Sequence, residues 1–450
     1  MSRLWHDLVR RILELICVIL VLIPFIGCWT VYYKHQTVIF CDLKCQLAIM
    51  VVYTVLYLAL CKIYDAFCVS IQRILELIYS QLLAVAMTDG FIYVIICLFS
   101  SKLCNIWPGM VAFIAQTVLV CIWSFMAQKF NHMFFSSQKT AIIYDMRQGL
   151  EELIRKYGLD KKYDVKQVMQ IQECLDHIEN LHEMQTVFLS GVHSHERNIV
   201  LKYCMMHKID VFVIPRLGDV IMSGACTVHM LHLPMLRVSA YKASPEYLLM
   251  KRIIDIVLSL IALIFLSPVL ILTAAAVKLT DGGPVFYKQI RLTKDGKPFR
   301  IIKFRSMRVD AEKDGVARLS TGDQDERVTR VGRIIRKARI DELPQLLNIL
   351  KGDLSICGPR PERPEIAAQY CEEMPEFALR LQAKAGLTGY AQVYGKYNTT
   401  PYDKLQMDLM YIAHPSIIED IKIMLATVKI LLVPESTEGI AEGATTAMRQ

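Results

Sequence analysis

What this 450-residue sequence lacks narrows its class before any motif is read. None of its 14 cysteines makes a Cys-X-X-Cys pair. Cys41 with Cys45 is by itself a poor metal site, so neither a cysteine metal centre nor a disulfide framework is expected. Cys17, Cys28, Cys61, Cys97 and Cys121 sit inside apolar stretches, where cysteine behaves as a small hydrophobe. The first apolar run is too long for a signal peptide, lacks a small-residue cleavage pattern and is followed by three more. No recognisable nucleic-acid module surrounds the basic residues, which lie beside apolar segments, so nucleic acid is not an expected partner. The formal charge of +8 suits an anionic leaflet or phosphate-bearing ligands, and equally suits plain solubility.

What is present is a mixture. The chain is 54% hydrophobic with 21% charged residues, and its mean hydropathy is +0.35. Such a balance predicts a membrane-embedded part joined to water-soluble domains. Four segments, about 12–33, 46–64, 81–100 and 108–127, each approach the roughly 20 residues that cross a bilayer. Trp29, Tyr32, Tyr33 and Trp107 mark their ends, where amphipathic rings favour the interface, and Pro24 is tolerable as a kink. Arg3, Arg10 and Arg11 precede the first segment, and Lys129, Lys139 and Arg147 follow the fourth. The positive-inside rule therefore puts both ends of residues 1–135 in the cytoplasm.

Residues 136–243 change character. Strands over Lys139–Tyr144, Thr186–Ser190 and Val211–Pro215 alternate with helices over Gly149–Tyr157 and Glu196–Met206, which predicts a small parallel, Rossmann-like α/β domain. Tyr144-Asp145-Met146-Arg147 follows the first strand where a dinucleotide fold would carry Gly-X-Gly-X-X-Gly. A structural or regulatory role is expected there rather than cofactor binding.

From residue 244 the signals become chemical. Lys251-Arg252 leads into the apolar stretch Ile253–Val277, interrupted by Ser267-Pro268 and flanked by Lys278, Lys288 and Arg291. Pro268 should bend a helix near its middle, and positive charge on both flanks opposes a full crossing. A re-entrant helix-break-helix over 248–278 satisfies both. A hairpin follows over Val285–Ile290 and Phe299–Phe304, then helices over 327–339, Asp341–Leu350, 362–383, 401–413 and 416–433. Leu405, Leu409, Met410, Ile421, Met424, Leu425 and Val428 make the last two amphipathic, fit for a membrane surface or for a packed core. The tail 435–450 reads as disordered.

Asp341-Glu342-Leu343-Pro344 taken alone is an ordinary helix start. Its company changes the reading. Arg327, Arg330, Arg333, Arg336 and Arg339 recur every third residue with no acid among them, a pattern that suits phosphate better than a solvated face. Gly358-Pro359-Arg360-Pro361 holds one guanidinium on a stiff loop for bidentate phosphate binding, and Lys303 and Arg305 add two more cations.

Over Tyr247–Val433 the chain resembles the bacterial sugar transferases, the monotopic polyprenyl-phosphate hexose-1-phosphate transferases. The motifs that carry the likeness are Lys251-Arg252-Ile253-Ile254-Asp255, Ser267-Pro268, Gly283-Pro284-Val285-Phe286, Lys303-Phe304-Arg305-Ser306-Met307, Asp341-Glu342-Leu343-Pro344-Gln345-Leu346, Gly358-Pro359-Arg360-Pro361 and Gly386-Leu387-Thr388-Gly389. The four N-terminal segments with the α/β domain resemble the long form of the family. The resemblance implies a catalytic domain over 244–434 in a multi-pass protein of the bacterial inner membrane, facing the cytoplasm. It implies that Asp341 attacks a UDP-sugar, that UMP leaves, and that undecaprenyl phosphate then takes the phosphosugar, at the first membrane step of exopolysaccharide, capsule or O-antigen synthesis. Glu342 would assist the acceptor by taking its proton, and Mg²⁺ on Asp341 would neutralise the diphosphate. Arg336 and Arg360 would contact phosphate, helped by Lys303 and Arg305, and Ser267-Pro268 would set the membrane hairpin. Lys384-Ala385 and Tyr390 stand where the family often has Arg-Pro and Trp, which leaves sugar or nucleotide contacts open. The long N-terminal region could support a homodimer. The competing class is a non-catalytic scaffold for polysaccharide assembly, against which the intact acidic pair and complete set of cations speak.

Overall fold

The computed structural model describes residues 3–36, 43–100, 103–134, 137–240, 243–309, 327–395 and 399–431. Cys41 and the tail 435–450 lie outside them. The chain forms two compact units, Met1–Ile214 and Pro215–Gln450.

The first unit begins with four long helices, α1 (Arg3–Val31), α2 (Leu43–Ile63), α3 (Ile74–Leu98) and α4 (Trp107–Phe134). All four are long and apolar enough to cross a membrane. They leave Val51, Val55, Val111, Ile114 and Val118 exposed and bury Trp29, Tyr53 and Tyr57. Polar side chains tie the interior together. The Tyr53 hydroxyl donates to Asp89 Oδ1 at 2.8 Å. Gln116 Nε2 donates to Val21 O and to that same hydroxyl, both at 2.9 Å, so one node joins all four helices.

The same unit continues as an α/β region. Its sheet has the order β2-β1-β3-β4 and is parallel throughout, from β1 (Gln138–Tyr144), β2 (Tyr163–Gln170), β3 (Thr186–Ser190) and β4 (Asp210–Val213). Ala141, Ile142 and Ile143 of central β1 are all buried, as expected of a strand covered on both faces. Helices α6 (Ile171–Asp176) and α7 (Ser194–Met206) cover one face, where Ile143 and Leu189 meet Val200. Helix α5 (Leu150–Lys156) covers the other, where Ile142 meets Ile154 and Tyr163.

The second unit opens with α8 (Leu217–Ser223), whose Val220 is buried with Leu405 and Leu409, and with the exposed hairpin β5 (Cys226–Met230) and β6 (Leu233–Arg237). The 37-residue helix α9 (Pro245–Asp281) follows, a fifth helix long and apolar enough to cross a membrane. The Ser244 side chain caps its start by accepting from Tyr247 N, and Gly282 ends it at φ 69°.

The expected break at Ser267-Pro268 does not interrupt the helix, which runs through Pro268. The reason is local. Proline removes the donor that should serve Ile264 O, and the Ser267 hydroxyl supplies one instead, at 2.8 Å. Both halves of α9 pack on the second unit. Arg252 donates to Ile349 O at 2.6 Å and Leu350 O at 2.7 Å. Asp255 accepts from Ser355 Oγ at 2.8 Å and Ile356 N at 3.0 Å. Further on, Leu270, Ala274 and Val277 pack with Phe304 and Ile335, and between the halves Ile264, Phe265, Ile271 and Leu272 are exposed.

The rest of the unit is assembled from short pieces. They are the antiparallel pair β7 (Phe286–Leu292) and β8 (Pro298–Phe304), α10 (Arg330–Lys337), α11 (Gln345–Lys351), the parallel pair β9 (Ser355–Cys357) and β10 (Gly386–Thr388), α12 (Pro364–Glu373), α13 (Tyr390–Tyr394), α14 (Pro401–Ala413) and α15 (Ile417–Leu431). The pair β9 and β10 can approach only because of glycine: a Cβ on Gly358 would lie 2.3 Å from Lys384 O. Helices α14 and α15 use their apolar faces as core. Leu405, Leu409 and Ile423 are buried with Tyr370 and Phe377, while Ile418 and Ile421 stay exposed.

Candidate active site

The acidic pair stands on a tight turn rather than in the first turn of an α-helix, as the sequence had led us to expect. Ile340–Glu342 is a single 3-10 turn, and α11 starts only at Gln345, with Pro344 as its N-cap. Bonds of the i to i+3 kind carry the chain across, Glu342 N to Arg339 O at 3.3 Å and Leu343 N to Ile340 O at 3.1 Å. Arg339, just before the turn, is left-handed at φ 55°, a conformation that costs a non-glycine residue about 1–3 kcal/mol. The surrounding packing holds it there: Ile340 rests against Val277 and Phe304, and α11 is fastened to β8.

That fastening is made by Asn348, which motif reading passed over. It accepts from Ile302 N at 3.0 Å and donates to Arg300 O at 2.8 Å, serving β8 as a neighbouring strand would. The result fixes the distance between Lys303 on β8 and the turn. Lys303 Nζ lies 2.7 Å from Glu342 Oε1, and Arg360 Nη2 reaches the same oxygen at 3.2 Å. Two cations foreseen as phosphate ligands thus converge on one carboxylate. The Arg360 side chain is 42% exposed, so its guanidinium still faces solvent.

The other expected ligands have partners of their own. Arg336 Nε donates to Ser306 Oγ at 2.7 Å, close enough to the turn for its charge to act on Asp341. Gly332 on the same helix passes so close to Ser306 that a Cβ would sit 1.9 Å from its carbonyl oxygen. Arg330 and Arg333 are exposed. Arg305 is buried and paired with Asp281 at the end of α9, where it fastens the helix rather than facing the acidic pair.

The two acids differ in acidity. Burial pushes the Asp341 carboxyl up to about 6, with the Glu342 carboxylate adding to the shift. Burial acts on Glu342 in the same sense, but Lys303 and Arg360 overcome it and hold that carboxyl well below the usual range. Burial, partly offset by Glu342, lowers Lys303. Asp341 Oδ1 is buried with no hydrogen-bond partner among the described residues. One acid is saturated by cations; the other presents an uncommitted oxygen.

The profile of the family described as bacterial sugar transferase matches residues 246–434, which span α9 to α15 and every residue of this site. Over 193 residues the chain is 42% identical to a UDP-glucose:undecaprenyl-phosphate glucose-1-phosphate transferase of Caulobacter vibrioides, covering 42% of this chain and 72% of that protein. The chain belongs to the bacterial sugar transferase family. A second family member, a UDP-N-acetylgalactosamine-undecaprenyl-phosphate N-acetylgalactosaminephosphotransferase of Aeromonas hydrophila, is 38% identical over 235 residues, 52% of this chain and 54% of that protein. A third, a UDP-glucose:undecaprenyl-phosphate glucose-1-phosphate transferase of Escherichia coli K12, is 44% identical over 185 residues. That alignment covers 40% of this chain and 39% of the relative. The matched sugar transferase segment begins in α9, so the four N-terminal helices and the α/β sheet lie outside it.

Proposed function

We propose that this chain transfers a sugar-1-phosphate from a UDP-sugar to undecaprenyl phosphate through a covalent intermediate on Asp341, at the first membrane step of assembling a surface polysaccharide. The single observation that carries the reading is the asymmetry of the acidic pair: Asp341 Oδ1 is buried and unpartnered beside a Glu342 already neutralised by Lys303 and Arg360. An Asp341 oxygen attacks the β-phosphorus of the UDP-sugar, the bond to UMP breaks, and UMP leaves with the electron pair. An oxygen of the lipid phosphate then attacks the same phosphorus and the aspartyl bond breaks. The bond between sugar and phosphate is untouched in both steps.

Lys303 and Arg360 stabilise the charge that develops on the phosphoryl oxygens, and Glu342 holds both in place. This assigns Glu342 an anchoring role instead of the proton-accepting one expected from the sequence. A carboxylate held that acidic is a poor base, and a lipid phosphate with a second pKa of about 6 needs little help at neutral pH. Mg²⁺ fits the unpartnered oxygen of Asp341. No cluster of three or more His, Cys, Asp or Glu exists among the described residues, so most of its ligands would be diphosphate oxygens and water, and it would neutralise the diphosphate.

We further propose that α9 is re-entrant, with both ends cytoplasmic, and that α1 to α4 make four spans. Arg252 and Asp281, at opposite ends of α9, are both engaged by the second unit, with an exposed apolar middle between them. In the first unit, Tyr33 donates to Asn105 O and Ser100 to Gln36 O, which pairs the α1–α2 and α3–α4 connections at one end. Arg73 of the α2–α3 connection reaches Lys156 O in the α/β region at the other.

The test is UMP release from a panel of UDP-hexoses without lipid acceptor. One equivalent per enzyme is expected, and Asp341→Asn should abolish it. Lipid-linked sugar formed by that variant at the wild-type rate would remove Asp341 as nucleophile. A label on an engineered cysteine just after Lys278 should report the cytoplasm; an external signal would overturn the re-entrant topology.

A further inference from the structure

Arg360 does its work from a loop, and loops are seldom precise unless something holds their backbone. Here four consecutive carbonyls are each taken by a donor, one from β10, one from the segment Pro375–Gln382 and two from β7. Pro359 O accepts from Gly386 N at 2.9 Å and Glu362 O from Leu292 N at 3.0 Å, both backbone bonds. The two between them are taken by side chains: Arg380 Nη2 donates to Arg360 O at 2.9 Å, and Arg291 Nη1 donates to Pro361 O at 3.0 Å.

Neither arginine is free to do anything else. Arg380 is 4% exposed, lies 2.6 Å from Asp408 Oδ2 and 3.5 Å from Glu362 Oε1, and stands over the Phe377 ring. Asp408 is itself 1% exposed, so its charge is spent on Arg380. Arg291 uses Nε and Nη2 on Gln289 Oε1 at 3.1 and 2.8 Å, which turns Nη1 toward the loop. A rigid guanidinium fork suits this task, because one group spans several fixed acceptors where an ammonium would satisfy one direction at a time.

We infer that Arg291 and Arg380 are positioning residues for Arg360, clamping the carbonyls of residues 360 and 361 so that its guanidinium meets both Glu342 and the phosphoryl group in transfer. The inference rests on the proposed reaction. Neither residue touches the acidic pair; each acts through the backbone that carries Arg360.

The experiment is a double-variant cycle on the full-length protein in nanodiscs, following the rate constant of the acceptor-free UMP burst. Arg291→Met should slow the burst by about 10- to 100-fold, the usual cost of a reacting group displaced by an ångström. In an Arg360→Ala background the same substitution should change the rate by no more than about twofold, since there is no guanidinium left to misplace. Arg291→Lys should stay close to Arg291→Met. Arg380→Lys keeps a charge beside buried Asp408 and so preserves folding, yet it cannot bridge all three acceptors. It should show the same non-additivity. Losses that multiply in the double variants, or full rescue by Arg291→Lys, would overturn the inference while leaving the reaction intact. Absence of any UMP burst from the wild-type protein would overturn the functional reading and this inference with it.

Discussion

The α/β sheet of the first unit and the small strands of the second are held together in different ways. Central β1 buries Ala141, Ile142 and Ile143 in succession and pairs on both sides along its length, so its order comes from apolar burial and backbone ladders. In the second unit β9 and β10 are three residues each, and much of the order comes from polar side chains that serve backbone groups: Asp255 on Ile356, Asn348 on Ile302, Arg252 on the end of α11, Arg291 and Arg380 on the Arg360 loop. Burial is non-directional, whereas a hydrogen bond has a set length and angle. In the proposed reaction, the unit that places a carboxylate against a phosphorus is the one built from such bonds.

Substitutions in the two regions should therefore separate stability from rate. Ile143→Ala should cost the first unit about 2–5 kcal/mol by leaving a cavity in a fully buried site, visible as a lower midpoint in thermal or denaturant unfolding. The burst rate per folded molecule should not move. Asn348→Leu should cost a similar amount of stability, about 2–6 kcal/mol for two backbone groups left without a partner, yet slow the burst severely because the turn loses its register with Lys303. If Ile143→Ala slows the burst as much as Asn348→Leu does, the contrast between the regions fails.

A smaller and graded effect should appear with pH. In the proposed reaction Asp341 must be ionised to attack, and its carboxyl is raised to about 6 by burial and by Glu342, so protons compete as pH falls through that value. The burst rate should drop about tenfold between pH 7 and pH 5. Glu342→Gln removes the neighbouring negative charge and releases Lys303 and Arg360 toward Asp341, so the inflection should move to lower pH. An inflection that stays in place in this variant would mean that Asp341 is not the group being titrated.

The same contrast governs what could be read from sequence. The four long helices, strands β1, β3 and β4 and helix α14 announce themselves through hydrophobic runs and periodicity. Strand β2, Tyr163–Gln170, does not, because Asp164, Lys166 and Gln167 give it the polar face of an edge strand. The hairpin β5–β6 is almost wholly exposed and has no pattern to show. At the site, Lys303, Arg360 and the acidic pair were legible because each lies in a compact motif. The displacement of Arg305 onto Asp281 was not, and neither were Asn348, Arg291 and Arg380. Their partners stand 46, 70 and 20 residues away, beyond any local spacing rule. The placement of Asp341 on a 3-10 turn was hidden for another reason: an acid followed by proline marks an α-helix start just as well, and only the left-handed Arg339 distinguishes the two.

The most direct test of the central claim is to incubate the protein with a UDP-sugar in the absence of lipid acceptor, quench it, and locate the adduct by peptide mass spectrometry. One equivalent of UMP and a single phosphosugar on Asp341, removed on adding undecaprenyl phosphate, are the expected result. An adduct on another residue, or UMP release that occurs only when acceptor is present and leaves the protein unmodified, would contradict it.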